Sequence, residues 1–382
     1  MTHVLDLPPP ATSIPEAEAG GILTIDLAAL AANWRLLRDR ARGAECAAVV
    51  KADAYGIGIE AAVPALFAAG CRTFFVAHLQ EATRARAVCQ DATIYVLNGL
   101  LVGTAPAYAT HGLRPVLGSR EEIEEWAAFC RAAGRRLPAA VHADTGMNRL
   151  GLRAEEAAAL AAEGALPDFE PALLMSHLVS ADEPDHPVTA RQIAAFLALR
   201  ERFPGVPASL CNSSGIFLRL QPHLDLVRPG YALYGGNPMP GADNPMRPVV
   251  HLAGRIIQLR WAADGETVGY NAHWTAQGRR RIATISVGYA DGYLRAASAT
   301  NLKAGGEAVV AGVRCPFAGR VSMDLITIDV SGVPEDSIAR GDLVTLIGDG
   351  IGIDEVGARC GTIGYEVLTS LGRRYARRYV GS

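Results

Sequence analysis

The sequence predicts an α/β protein: a (β/α)8 TIM-type barrel followed by a C-terminal, mostly-β domain. Three observations lead there. Between residues 21 and 245, short apolar runs alternate with longer amphipathic stretches about eight times, which suits a closed barrel better than an open sheet. From 246 to 382, helical periodicity nearly vanishes until the end, and strand-like runs follow one another between Gly and Asp. The two textures meet in GGNPMPGADNP (235–245), a Gly- and Pro-rich join.

Each element follows from local signals. Residues 1–20 carry acids and a triple proline and are expected to form a disordered arm. They lack the basic start and apolar stretch of a secretory leader. A helix is expected from Asp26, a possible N-cap, through the amphipathic stretch that follows. Barrel strands are expected at ECAAVVKA (45–52), TFFVAHL (73–79), TIYVLNG (93–99), LRPVLG (113–118), PAAVHAD (138–144), PALLMSHL (171–178), ASLCNS (208–213) and LDLVRPG (224–230). Such continuous apolar runs suit parallel strands buried on both faces. REEIEEWAAFCRAAG, opened by Ser119 and closed by Gly134, reads as a helix, as does PVTARQIAAFLALRERF. Beyond the join come VVHLAGRIIQLRWA, RRIATISVGYA, EAVVAGVRCPFAG, DLITIDVS and DLVTLIGD, all strand-like.

Composition narrows the function classes. Half of the chain is apolar and the formal net charge is only −3, with no long run of one sign. That argues against nucleic acid or a membrane surface as partner, and no run reaches the ~20 apolar residues of a spanning helix. The seven cysteines are scattered, with no Cys-x-x-Cys, so neither a disulfide framework nor a metal site is expected and a reducing, cytoplasmic setting fits. Of 36 basic residues only two are lysines, Lys51 and Lys303. Chemistry that needs a side-chain amine has two candidates.

Lys51 closes the apolar run AAVV and precedes ADAYGIG. In a β/α barrel the C-terminal strand ends form the active-site face. Desolvation there lowers a lysine's pKa, as a Schiff-base nucleophile requires. A lysine at a strand end can equally snorkel to solvent. Lys303, in TNLKAGGEA, reads as a solvated loop.

AVVKADAYGIG resembles the cofactor-lysine motif of the alanine racemases, pyridoxal-phosphate enzymes, and further motifs follow in the same order from Ile22 to Tyr379. The resemblance implies a barrel plus β-domain, and a head-to-tail homodimer in which each β-domain (246–382) completes the site on the partner's barrel (21–245). It implies that Lys51 holds pyridoxal 5'-phosphate as a Schiff base and that Tyr55 lines the cofactor. VGYADGYLR makes Tyr289 of the partner subunit the second acid/base: one group on each face of Cα lets L- and D-alanine interconvert. LVRPGYALYG sets Arg228 at the ring nitrogen and the backbone of Gly230 and Tyr231 at the phosphate. CNSSG adds Asn212 and Ser213 there, and TIGYEVLTSL adds Tyr365, which also narrows the entrance. SHLVSADE implies His177 between Tyr289 and Arg228, with Asp182 at the entrance. HADTGMNRLG sets Arg149 at the phenolic oxygen and the substrate carboxylate; GRVSMDL brings the Met323 N–H of the partner subunit to that carboxylate, with Asp324 beside it.

Two departures stand out. Many relatives carry a lysine, modified to a carbamate, where this chain has His142, so something else must orient Arg149. Asp53 replaces the usual asparagine, with little expected effect on the chemistry. Two other readings remain: a racemase of the same fold for serine or a broader set of amino acids (or a basic amino-acid decarboxylase), and a non-enzymatic cofactor carrier. The carrier predicts no β-domain, and the decarboxylase predicts an acid where Arg228 stands. Whether the role is D-alanine biosynthesis or alanine catabolism is not legible.

Overall fold

The computed structural model describes residues 14–163 and 168–381. They form two compact units: Ala28–Arg247, and the residues up to Leu27 together with those from Pro248 onward.

The first unit is the barrel. Its first strand runs in two halves, β2 (Glu45–Cys46) and β3 (Ala48–Val49), after β1 (Gly21–Asp26) of the other unit. Then come β4 (Thr73–Val76), β5 (Thr93–Val96), β6 (Arg114–Leu117), β7 (Pro138–His142), β8 (Glu170–Met175), β9 (Ala208–Ser209) and β10 (Leu226–Val227). Strands β3 to β9 form a parallel sheet in chain order. β10 pairs in parallel with β2, Leu226 opposite Glu45 and Val227 opposite Cys46. The β9–β10 gap is bridged where Asp225 N donates to Ala208 O (3.1 Å) and Arg228 N to Cys211 O (2.9 Å). The ring therefore closes, which leaves no unpaired edge.

These strands form because Phe74, Phe75, Val76, Ile94, Leu117, Val141 and Leu174 are wholly buried, and β-branched and aromatic side chains suit a sheet covered on both faces. The connecting helices carry their own start and stop signals. In the helix Arg120–Ala133, Ser119 accepts from Glu122 N in a capping box, and Gly134 ends it in the left-handed conformation. Its buried stripe, Ile123, Trp126, Ala127 and Cys130, follows helical spacing and contributes ~1.5–3 kcal/mol for each large side chain.

In the second unit, β11 (Val250–Ala262) is the long central strand. It is followed by β12 (Thr267–Val268), β13 (Trp274–Thr275), β14 (Arg280–Ile285), β15 (Glu307–Val310), β16 (Val313–Pro316), β17 (Ile326–Asp329), β18 (Leu343–Ile347) and β19 (Ala376–Val380). The main sheet runs β16-β15-β18-β11-β1-β19, with β14 joining β11 to β17. Two short helices, Ile353–Arg359 and Gly364–Ser370, precede β19.

The expected boundaries need correction. Residues 21–26 do not open the barrel: β1 lies antiparallel to β11, Gly21 opposite Gly254, and parallel to β19, Ile22 opposite Ala376. The contact boundary after the barrel falls at 247/248. Of the arm expected to be disordered, residues 1–13 lie outside the described residues. Glu16–Glu18 forms a 3-10 turn, and Arg255 donates to Glu16 O and Ala19 O. All seven cysteines are free thiols. No helix among the described residues is long and apolar enough to cross a membrane.

Candidate active site

The barrel residues singled out from the sequence all leave C-terminal strand ends. Lys51 follows β3, His142 ends β7, His177 follows β8, Ser213 follows β9 and Arg228 follows β10. β10 and β2 are neighbours, so Lys51 and Arg228 leave adjacent strands.

Lys51 starts an unusual turn. Ala52, Asp53, Ala54 and Tyr55 have φ of 53°, 56°, 54° and 52° before Gly56 at 83°. This is one turn of left-handed helix built without glycine, closed by Ala54 N to Val50 O (2.9 Å), Gly56 N to Ala52 O and Gly58 N to Asp53 O (both 2.8 Å). Left-handed geometry costs L-residues roughly 1–2 kcal/mol each, so surrounding contacts must hold the turn. Glu81, in the helix Leu79–Val88, accepts from Asp53 N (3.3 Å), Ala77 N (2.8 Å) and His78 N (3.2 Å). Asp53 accepts from Ile59 N (3.2 Å) and pairs with Arg84 (2.6 Å). Burial, and then the nearby Arg149 charge, lower the Lys51 pKa; Glu81 opposes them.

Arg228 is almost wholly buried. It donates to Ser209 Oγ and Ser176 O, each at 2.5 Å, and its guanidinium lies 5.9 Å from the Phe75 ring centroid. No carboxylate pairs with it among the described residues, and burial pushes its pKa down to about 10. A buried cation without a counter-charge is costly, so this site suits an acceptor-rich ligand.

Beside it, Ser213 Oγ accepts from Gly230 N (3.0 Å) and Ala232 N (3.2 Å). Asn212 Oδ1 instead accepts from Gly215 N (2.9 Å) and shapes the turn. Tyr55 and Tyr234 stack at 4.4 Å, and Tyr234 Oη donates to Val49 O (2.9 Å). A Cβ on Gly230 would stand 2.4 Å from Tyr55 Oη, so glycine is required for close approach here. Tyr231, at the same bend, is buried.

Arg149 is exposed on a loop that Asp144 folds, its carboxylate accepting from Gly146 N (2.9 Å), Met147 N (2.8 Å) and Asn148 N (2.9 Å). Burial first, then Arg228, pushes His142 down to about 4; burial, then Arg228 and Arg149, pushes His177 down to about 3. Both imidazoles are therefore neutral at neutral pH. Gln192 fixes the His177 backbone, donating to His177 O (2.9 Å) and accepting from Val179 N (2.9 Å). Asp182 is exposed on the same loop region.

The β-domain assembles a second cluster. Tyr289 N donates to Ser322 O (3.0 Å) and Ala290 N to Met323 O (2.9 Å). Arg374 bridges Asp291 (3.0 Å) and Asp324 (2.8 Å), and Gly372 N donates to Asp291 O (2.9 Å). Tyr289, Met323 and Tyr365 are exposed.

Sequence reasoning missed Glu81, Arg84, Ser209, Gln192 and Arg374, which support rather than form the site. Only Ser209 left a signal, since it lies on the apolar strand ASLCNS near the expected Ser213.

Fold and site together define a two-domain barrel protein with an amine of lowered pKa beside a buried guanidinium. The chain matches the families "Alanine racemase, N-terminal domain" over residues 25–238 and "Alanine racemase, C-terminal domain" over 249–379. It belongs to the alanine racemase family. It is 62% identical to an alanine racemase of Methylobacterium nodulans over 94% of this chain and 96% of the relative. It is 47% identical to a catabolic alanine racemase of Mesorhizobium japonicum over 96% and 95%. The crystal structure of the Bartonella henselae alanine racemase, with covalently bound pyridoxal phosphate, superposes with a TM-score of 0.89 at 38% identity, covering 95% of this chain and all of that one.

Proposed function

We propose that this chain is an isomerase that interconverts L- and D-alanine with pyridoxal phosphate held on Lys51. The observation that carries the reading is the pairing, on adjacent strand ends, of a lysine with lowered pKa and a buried Arg228 that lacks a carboxylate. The residues fit the group. Lys51 supplies the amine, Arg228 a donor for the ring nitrogen, and the bend at Gly230 and Tyr231, where Ser213 Oγ accepts from Gly230 N and Ala232 N and keeps its hydroxyl proton to donate, a place for phosphate. Tyr55 and Asn212 line it, and the family motif around Tyr365 assigns that tyrosine to the phosphate as well.

When bound, pyridoxal phosphate supplies an electron sink that acidifies the Cα–H of an attached amino acid. Arg228 donates to the ring nitrogen and keeps its own proton, which leaves that nitrogen unprotonated. Lys51 Nζ takes or returns the Cα proton on one face, that of D-alanine. Tyr289 of the partner subunit serves the opposite face, that of L-alanine, and each proton removed is matched by one returned. His177, neutral, relays hydrogen bonding between that tyrosine and Arg228. Arg149 forks onto the substrate carboxylate, which also meets the Met323 N–H of the partner subunit; Asp182 lines the entrance.

A homodimer with shared sites is supported by exposed apolar side chains on both units. Leu101, Val102, Leu150 and Val179 stand on barrel loops, and Met323, Ile363 and Tyr365 on the β-domain. Free thiols support a cytoplasmic setting. There the reaction would serve D-alanine biosynthesis in one direction and alanine catabolism in the other.

The test is chemical. Borohydride reduction of the yellow protein should fix the cofactor on Lys51; label on Lys303, or none, overturns the reading. Mixed Lys51→Ala and Tyr289→Phe subunits should restore about one working site per dimer. No restoration after confirmed subunit exchange removes the shared-site part.

A further inference from the structure

We infer that Arg84 is a positioning residue for Lys51, acting through Asp53. The inference rests on the reading that Lys51 transfers a proton at Cα. The left-handed turn 52–55 directly follows Lys51 and contains no glycine, so its own backbone does not favour it. Two side chains of the helix Leu79–Val88 hold it through Asp53. Glu81 grips the Asp53 N–H, and one turn later Arg84 Nη2 reaches Asp53 Oδ1 at 2.6 Å. Arg84 also forks onto Glu60, with Nε to Oε1 and Nη2 to Oε2 both at 2.7 Å. Asp53 Oδ1 accepts from Ile59 N as well. The turn is thereby tied to the start of the next helix, Ile59–Ala69, and to the helix after it.

The sequence alone predicts little effect of Asp53 in place of asparagine, but its contacts give a carboxylate here a function that an amide performs only in part. Asparagine can keep the acceptor for Ile59 N and for Arg84, but it gives up the negative charge of the ion pair with Arg84. The pair is partly exposed, with side chains 39% and 34% accessible, so the expected effect is modest. It falls on the geometry of one proton transfer, since Lys51 serves only one face of Cα.

The test uses the holoenzyme in deuterium oxide, with Asp53→Asn and Arg84→Met made singly and together. Cα-proton exchange from D-alanine should fall about three- to tenfold in each single variant, while exchange from L-alanine changes less than about twofold. The double variant should be no worse than the more impaired single variant, because the Asp53–Arg84 ion pair is lost in both. Amide hydrogen exchange at Ala54, Gly56, Ile57 and Gly58 should speed up in the variants, a readout independent of turnover. Equal loss for both enantiomers, multiplying effects, or unchanged amide exchange overturns the proposal. Reductive trapping in the unsubstituted enzyme keeps the two questions apart. No label on Lys51 defeats the underlying reading; label on Lys51 with symmetric exchange defeats only the role of Arg84.

Discussion

Gly230→Ala is a sharp perturbation, because its cost is steric and local. The Gly230 backbone sits at φ −125° and ψ −84°, a negative φ but outside the helical and extended wells, so alanine meets some backbone strain. The added Cβ, moreover, would stand 2.4 Å from Tyr55 Oη, 3.1 Å from its Cζ and 3.4 Å from Val49 Cβ. Tyr55 cannot easily yield: it is buried and stacked 4.4 Å from Tyr234, whose hydroxyl is tied to Val49 O. Overpacking of this kind costs ~1–3 kcal/mol. The barrel unit, Ala28–Arg247, has an unfolding entropy of ~0.46 kcal/mol per kelvin, so the melting temperature should drop by ~2–6 °C. Removing the hydroxyl relieves the shortest contact. In a Tyr55→Phe background the same glycine change should cost ~1 kcal/mol less, or ~2 °C. Thermal unfolding by circular dichroism, run on the four proteins of the cycle, measures it. A Gly230→Ala melt within 1 °C of the parent, or an equal drop in both backgrounds, would refute the reasoning.

Acid should destabilise the barrel through its two depressed histidines. From the ordinary value of 6.5 downward, the unfolded chain binds protons that folded His142 and His177 refuse until about pH 4 and 3. Their stabilising contribution is therefore lost as pH falls through that window, with a slope approaching ~2.7 kcal/mol per pH unit for the pair. Denaturant titrations between pH 7.5 and 5 should show the slope roughly halved in His142→Phe; an unchanged slope contradicts the assignment. Asp144→Ala should orphan three loop N–H groups and raise KM for alanine about tenfold or more, with a smaller change in kcat. Steady-state kinetics with the reverse pattern would speak against Arg149 as the carboxylate fork. Arg374→Met should leave buried Asp291 without its ion pair and slow Cα exchange from L-alanine more than from D-alanine. Deuterium exchange measured on each enantiomer checks that direction, and a symmetric loss contradicts it.

The barrel was legible because parallel strands buried on both faces appear as apolar runs, and each expected run contains a strand. The ends were less legible. PALLMSHL was expected as strand to residue 178, but β8 stops at Met175, where the chain turns to build the site. The strand β1 was misassigned because GILTID before a helix looks like an ordinary barrel unit; its partners β11 and β19 lie more than 220 residues away in sequence. The left-handed turn was invisible for a different reason. Ala-Asp-Ala-Tyr has no residue that prefers positive φ, and the contacts that impose the turn come from Glu81 and Arg84 on another helix. The candidate residues for the chemistry lie in short motifs. The residues that hold them in place do not, since each acts through a tertiary contact that leaves no local pattern.

The pairing of β1 with β19 also bears on how the protein is made. β1 leaves the ribosome before the barrel unit, and its parallel neighbour, Ala376–Val380, after it. The β-domain sheet therefore cannot be completed until the strands and helices of the barrel have emerged, and these can pack in order beforehand. Closing so long a loop is entropically cheaper once the intervening chain is already compact. The strand gains its antiparallel partner β11 only after the whole barrel unit has emerged, and its parallel partner β19 later still. That makes GILTID, an apolar segment with two open edges, the point at which a nascent chain most needs shielding from its neighbours.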